Sequence, residues 1–172
     1  MAESIFDETT LRLYKSEMRL RDVHENFYDS ELGESPTLTL VECQEFVDKI
    51  LGTGKNKVWV RDGRGHDWAR VSRDSKGRPV IELPKWARNE YVILHECSHW
   101  LSIRQTGVWG DHGQLFASYL LLLVRYVLGR EDYDCLLAEY QRHGVLYYDL
   151  TRPRRKPGVA KASSKATPHL KK

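Results

Sequence analysis

The chain has 172 residues, 41% of them hydrophobic and 30% charged. That length suits one globular domain with a real core and is short for two. The net charge of +3 combines two unlike regions, because residues 1–151 carry 19 basic and 24 acidic side chains whereas residues 152–172 carry eight basic and no acidic ones. We therefore predict a single, mildly acidic domain over residues 1–150 and a disordered basic tail over residues 151–172.

Cysteine usage and hydropathy exclude several further classes of protein. The three cysteines form no CxxC pair, which argues against a disulfide framework or a zinc ribbon and fits a reducing, cytoplasmic setting. The N-terminal MAESIFDETT is acidic and lacks the apolar stretch of a signal peptide. The longest apolar run, LFASYLLLLVRYVL at 115–128, is too short to cross a bilayer, and we interpret it as a buried helix.

Two helices are predicted in the first third of the chain. The first covers about 9–28, on an apolar stripe formed by Leu11, Tyr14, Met18 and Leu20. The second begins after Thr39, which can cap it with Glu42 as the capping-box partner, and it ends at Gly52 or Gly54.

Three short strands follow, at 57–61, 68–73 and 79–83, separated by turn-forming sequences. Such closely spaced strands suggest a small meander-like sheet. Pro79 and Pro84 mark the ends of the third strand, and prolines suit an edge strand better than a central one.

Helices return in the last part of the domain. Asn89 is a plausible N-cap for a helix over about 90–105, and a glycine-punctuated loop at 105–113 separates it from the apolar helix 114–129. A shorter amphipathic helix is predicted at about 132–143. The element order predicts an α+β fold.

The sequence LHECSHW, at residues 94–100, places two histidines four positions apart on the predicted helix. His95 and His99 therefore project from one face, close enough for both rings to bind one ion. Glu96 lies beside the pair, where it can hold a water molecule and act as a general base without being a ligand. This H-E-x-x-H arrangement is typical of zinc hydrolases.

The residues around these three side chains are uncharged, unlike those of a solvated surface helix. They are Val92, Ile93, Leu94, Cys97, Ser98, Trp100 and Leu101. Burying two histidines and a glutamate without partners is unfavourable, and a metal ion supplies the missing interaction. The alternative is a pair of core histidines whose hydrogen bonds are satisfied by neighbouring groups.

A catalytic zinc site needs a third protein ligand and an open fourth position. His112 is the best candidate, because it follows a loop that can fold back over the helix. Three glycines permit the required turn, at positions 107, 110 and 113. Asp111 and the loop residue His66 are the alternatives that the sequence leaves open.

Two motifs give the chain a resemblance to a known family. VILHECSHWL (92–101) fits the extended pattern of the zincin metallopeptidases, and HGQLF (112–116) resembles the H-G-x-x-F/W element of the SprT-like zincins. The segment 79–101 is similar to a group of metallohydrolases found in bacteria and their viruses. The resemblance covers about residues 57–128.

The resemblance implies a zincin-like fold, with a small, mostly antiparallel sheet packed on helices. It implies that His95, His99 and His112 bind Zn²⁺ and that Glu96 is the catalytic base. A peptide or protein substrate would add as a strand to an edge strand formed by VIEL (80–83). The SprT-like zinc ribbon is absent, so recruitment to DNA–protein crosslinks does not carry over.

The sequence thus predicts a cytoplasmic zinc-dependent metallohydrolase, specifically a peptidase without a membrane segment. The alternative is a regulatory or binding module with a structural zinc, which would have four protein ligands instead of an open position. The basic tail could bind nucleic acid in a salt-dependent, sequence-independent manner. The sequence does not define the oligomeric state.

Overall fold

The computed structural model describes residues 12–13, 15–17 and 37–151. Residues 12–13 and 15–17 are helical, as predicted for the first helix. The stripe residues Leu11, Tyr14, Met18 and Leu20 and the predicted tail at 152–172 lie outside the described residues.

The described part of the chain has an α+β architecture, as predicted. Its helices are α1 (Leu40–Leu51), α2 (Glu90–Thr106), α3 (Gln114–Val127) and α4 (Arg130–His143), and its strands are β1 (Trp59–Asp62), β2 (Arg70–Arg73) and β3 (Pro79–Leu83). None of the helices within 37–151 has the length and apolar character that a membrane crossing requires.

The predicted helix starts at Thr39 and Asn89 are confirmed by side-chain caps. The Thr39 hydroxyl accepts a hydrogen bond from the Glu42 amide at 3.2 Å, and Glu42 accepts one from the Thr39 amide at 2.7 Å. The Asn89 side chain accepts from the Val92 amide at 2.9 Å at the start of α2. Each cap satisfies a backbone donor that the helix itself leaves unpaired.

The sheet corrects the predictions of a mostly antiparallel meander and of an edge strand at 79–83. The strand order is β1-β3-β2, so β3 is the central strand, parallel to β1 and antiparallel to β2. The two prolines are compatible with this position because Pro79 is the first residue of β3 and Pro84 follows its last. Neither removes a backbone donor from the interior of the strand.

A close backbone crossing explains why β1 and β2 are not neighbours. After β1 the chain passes across the end of β3, where the Gly63 amide donates to the Leu83 carbonyl at 3.0 Å. A Cβ atom on Gly63 would lie 2.7 Å from atoms of Pro84, so the crossing requires glycine. The chain then returns as β2 on the other side of β3.

The two outer edges of the sheet differ in their protection. Along β1, the Gln44 side chain of α1 donates to the Val58 carbonyl at 2.9 Å and accepts from the Val60 amide at 2.7 Å. No described strand pairs with the outer edge of β2. The open edge of the sheet is therefore β2, in contrast to the predicted position at 80–83.

Helix α2 lies between two buried clusters, which explains its uncharged surroundings. On one side it packs with α1 and the sheet through Ile93 and Cys97; on the other it packs with α3 and α4 through Tyr91 and Leu94. A helix enclosed in this way is apolar on several faces. The orientation of Cys97 toward the core follows from its place on the sheet side.

A buried carboxylate organises the β2–β3 turn and gives a first testable prediction. Asp74 accepts hydrogen bonds from the amides of Lys76 and Arg78 and from the guanidinium groups of Arg78 and Arg61. Burial alone raises the pKa of Asp74, but the hydrogen bonds from Arg78 and Lys76 outweigh it and lower the pKa to about 2. Ionised Asp74 therefore stabilises the folded chain above its ordinary pKa of 3.8, and this stabilisation disappears as the pH falls through 2.

We expect Asp74→Asn to lower the melting temperature near neutral pH. The difference from the unmodified chain should shrink between pH 4 and pH 2, because protonated aspartate resembles asparagine. Thermal unfolding followed by circular dichroism over this range checks the expectation. A difference that stays constant with pH would contradict it.

Candidate metal centre

Helix α2 and the loop after it bring the three predicted ligands together. His95 and His99 are one turn apart on α2, which ends at Gly107 in the left-handed conformation. The loop then returns so that His112 lies two residues before the start of α3. The Asp111 carboxylate accepts a hydrogen bond from the Gly113 amide at 2.8 Å and so orders the turn that presents His112.

The imidazoles of His99 and His112 both direct their Nε2 atoms toward that of His95. His95 Nε2 lies 3.2 Å from His99 Nε2 and 3.3 Å from His112 Nε2. Tetrahedral coordination with Zn–N bonds of about 2.0–2.1 Å places two ligand nitrogens about 3.3 Å apart. The measured separations match this value. The donor set therefore fits a single zinc-sized ion, and imidazole nitrogen also suits other transition metals.

A single aromatic ring supports all three imidazoles. Phe116 is fully buried in α3, one helical turn after His112. Its ring centroid lies 4.9 Å from that of His95, 4.4 Å from that of His99 and 4.8 Å from that of His112. Packing against one rigid ring limits the rotation of each imidazole.

The other ring nitrogen of His95 contacts a carboxylate from the N-terminal helical segment. His95 Nδ1 lies 2.9 Å from Glu17 Oε2. A proton on Nδ1 donated to this oxygen leaves the Nε2 lone pair directed toward the other two histidines. Burial lowers the pKa of His95, but the charge and hydrogen bond of Glu17 outweigh it and raise the pKa to about 9.

His99 is in a different electrostatic environment. Burial lowers its pKa well below the ordinary value, and the positive charges of His95 and His112 lower it further. His99 is thus held neutral, which is the form that donates a lone pair.

Glu96 is a buried carboxyl group beside this cluster, with only 4% of its surface exposed. Its Oε2 atom has no hydrogen-bond partner within the described residues. Burial raises the pKa of Glu96 to about 7; the charge of His95 opposes this shift and that of Glu17 adds to it. A carboxyl group with a pKa near neutrality suits proton transfer, and an unpaired buried oxygen fits a neighbouring cation or water.

The alternative third ligands lie elsewhere. His66 is in the β1–β2 connection, where its Nε2 is 3.1 Å from an Arg70 guanidinium nitrogen. Asp111 bonds to the Gly113 amide. Within the described residues, the group able to hold an ion consists of His95, His99 and His112. Of the candidates that the sequence left open, the structure brings His112 to the pair.

Glu17 was not predicted as a site residue. It lies one helical turn after Leu13, which is fully buried, so the acid occupies the buried face of its segment. The sequence signal that could have indicated Glu17 is a charged residue on the same helix face as the apolar Leu13.

A shallow groove runs along β2. Its volume is about 480 Å³, and it is lined by residues 70–73 and by Trp109. The Arg73 guanidinium lies 5.8 Å from the ring centroid of Trp100 and 5.5 Å from that of Trp109. Trp109, which lines the groove, lies in the loop that leads to His112.

Comparison of the chain with models of protein families, with curated proteins and with solved structures gives no match. The relation to the zincins therefore stays a prediction that depends on the two quoted motifs.

Proposed function

We propose that this chain is a zinc-dependent metallohydrolase with a zincin-like fold, and specifically a peptidase. The observation that carries the proposal is the convergence of three imidazole Nε2 atoms, 3.2–3.3 Å apart around His95, next to the buried carboxyl group of Glu96. Three imidazole nitrogens with an adjacent carboxyl group match the ligands and general base of a hydrolytic zinc site.

The residues of the chain have separate tasks in peptide hydrolysis. When bound, zinc supplies a Lewis acid that polarises the scissile carbonyl and makes a water molecule more acidic. Glu96 accepts a proton from the water molecule while the oxygen of that water attacks the carbonyl carbon. The same carboxyl group then delivers this proton to the leaving nitrogen as the C–N bond breaks, which yields one acid and one amine.

Three protein donors favour a catalytic site over a structural one. Structural zinc is held by four protein ligands, whereas catalytic zinc keeps one position for water or substrate. Within the part of the chain that the structure describes, the ligand group has three members. We therefore favour a hydrolase over a regulatory or binding module with a structural zinc.

We further propose that the substrate binds as an extended strand along β2. The resemblance to zincins implies strand addition to an edge strand. Of the two edge strands, β1 has its outer backbone groups bonded by the Gln44 side chain, which leaves β2 as the available edge. The neighbouring groove, with Arg73 and Trp109, provides room for substrate side chains beside the main-chain pairing.

Metal analysis combined with a cleavage assay tests the proposed function. The purified 172-residue chain is stripped with a chelator, reloaded with Zn²⁺ and incubated with an unfolded protein. Mass spectrometry then identifies new peptide termini. We expect about one zinc per chain and cleavage that disappears with the chelator and returns with the metal. If X-ray absorption showed zinc bound by four protein ligands and no cleavage were detected, the result would instead support a regulatory or binding module with a structural zinc.

A further inference from the structure

We propose that Glu17 is a positioning residue of the metal centre. Its carboxylate holds the His95 ring with Nε2 directed at the ion and offsets part of the ion's charge. This inference rests on the metal site of the proposed function but not on the reaction catalysed there. It assigns part of the site to the N-terminal helical segment, outside the motifs at 92–116.

The contact between Glu17 and His95 has the geometry of an orienting hydrogen bond. Glu17 Oε2 lies 2.9 Å from His95 Nδ1, and 7% of the glutamate side chain and 12% of the histidine side chain are exposed. Carboxylates that accept from the outer nitrogen of a metal-binding histidine fix its tautomer and its ring orientation, and they make the ligand more basic. Because water has little access to this pair, Glu17 is well placed for that task.

The segment that carries Glu17 is anchored independently of this contact. Leu13 is fully buried in the cluster that also contains Phe116, the ring beneath the three histidines. The Ser16 hydroxyl shares its proton between the Arg12 carbonyl of its own segment, at 3.0 Å, and the Glu139 backbone carbonyl in α4, at 3.3 Å. Leu13 and Ser16, which both precede Glu17, therefore attach this segment to α3 and α4, and the Glu17 carboxylate is held against His95.

Charge balance also assigns a role to Glu17. Three neutral imidazoles leave the full double charge of a zinc ion in a poorly solvated site, and a buried charge is stable only when it is paired. Glu17 and Glu96 are both buried, and each has one carboxylate oxygen without a hydrogen-bond partner among the described residues. Of these two side chains, Glu17 contacts a metal-binding histidine directly, so its carboxylate lies where it can offset part of the ion's charge.

Measurement of zinc affinity in matched variants of the 172-residue chain tests the inference. Glu17→Gln preserves the shape of the side chain and removes its charge, and Glu139→Gln makes the same change at another buried glutamate, which pairs with Arg142 and His143 on its own helix. We expect competition with a chromophoric chelator to give about 10–100-fold weaker Zn²⁺ binding for Glu17→Gln. Glu139→Gln should retain the affinity of the unmodified chain.

Nitrogen NMR of the zinc-loaded, unmodified chain gives a second readout that does not depend on how the variants fold. We expect His95 to carry its proton on Nδ1 and to bind through Nε2. Coordination through Nδ1, an unchanged affinity in Glu17→Gln, or an equal loss in Glu139→Gln would each overturn the role of Glu17. If the unmodified chain fails to bind zinc, the proposed function itself is wrong, and this outcome is distinguishable from the other three.

Discussion

Replacement of His112 by alanine should weaken zinc binding by roughly two orders of magnitude or more. Structural zinc sites with four ligands bind with about 10–16 kcal/mol, or roughly 3 kcal/mol per ligand, and each 1.4 kcal/mol is a factor of ten. His112 supplies one of three converging nitrogens, and its Nε2 lies 3.3 Å from that of His95. Titration with a competing chelator measures the loss, and circular dichroism should show unchanged helix content because His112 lies outside α2 and α3.

Two matched variants separate His112 from the other candidate ligands. His66→Ala removes the histidine that lies beside Arg70, and Asp111→Asn keeps an oxygen able to accept from the Gly113 amide. We expect both variants to bind zinc as tightly as the unmodified chain. If His112→Ala retained full zinc affinity while one of the two control variants lost it, the residue replaced in that control would be the third ligand instead of His112.

The helical part of the fold could be predicted from the sequence because its signals are local. Thr39 with Glu42, and Asn89 before α2, mark helix starts through hydrogen bonds that span only three residues. The uncharged residues around His95 indicated a buried helix, and α2 indeed packs on both of its sides. In each case a pattern within one or two turns determines the structure.

The sheet could not be predicted in the same way, because strand order depends on contacts between distant residues. Pro79 and Pro84 favoured an edge position, yet they lie just where a central strand can tolerate them. The residue that permits the crossing is Gly63, whose close approach to Pro84 is visible only in three dimensions. In the sequence, Gly63 resembles any glycine of a surface loop.

In the candidate site, too, the residues with local sequence signals could be predicted and the residue that depends on a distant contact could not. His95, Glu96 and His99 were recognisable from helical spacing, and His112 from the glycine-rich loop before it. Glu17 was not, because its contact with His95 joins residues 78 positions apart. A single sequence gives no direct measure of such a pairing, although an acid on a buried helix face indicates that a partner exists.

Replacement of Glu96 by glutamine should leave zinc bound but lower peptide hydrolysis by about 10²–10⁴-fold, the usual contribution of a general base. Glutamine has nearly the shape of glutamate, so the packing around this buried side chain is preserved. It cannot accept the proton of the attacking water, however, and it cannot return one to the leaving nitrogen. Zinc content and cleavage rate must therefore be measured on the same preparation.

Glu90→Gln is the matched control, because it makes the same change at an exposed position in the first turn of the same helix. Its cleavage rate should equal that of the unmodified chain. Full activity in Glu96→Gln would remove Glu96 from the mechanism, since no other side chain was assigned to carry the proton. Loss of zinc together with activity would make Glu96 part of the metal-binding set. A variant that retains zinc but has lost peptide hydrolysis is the result expected for a carboxyl group that contacts the reacting water and not the ion. The position of Glu96 beside the three histidines leads us to expect this arrangement.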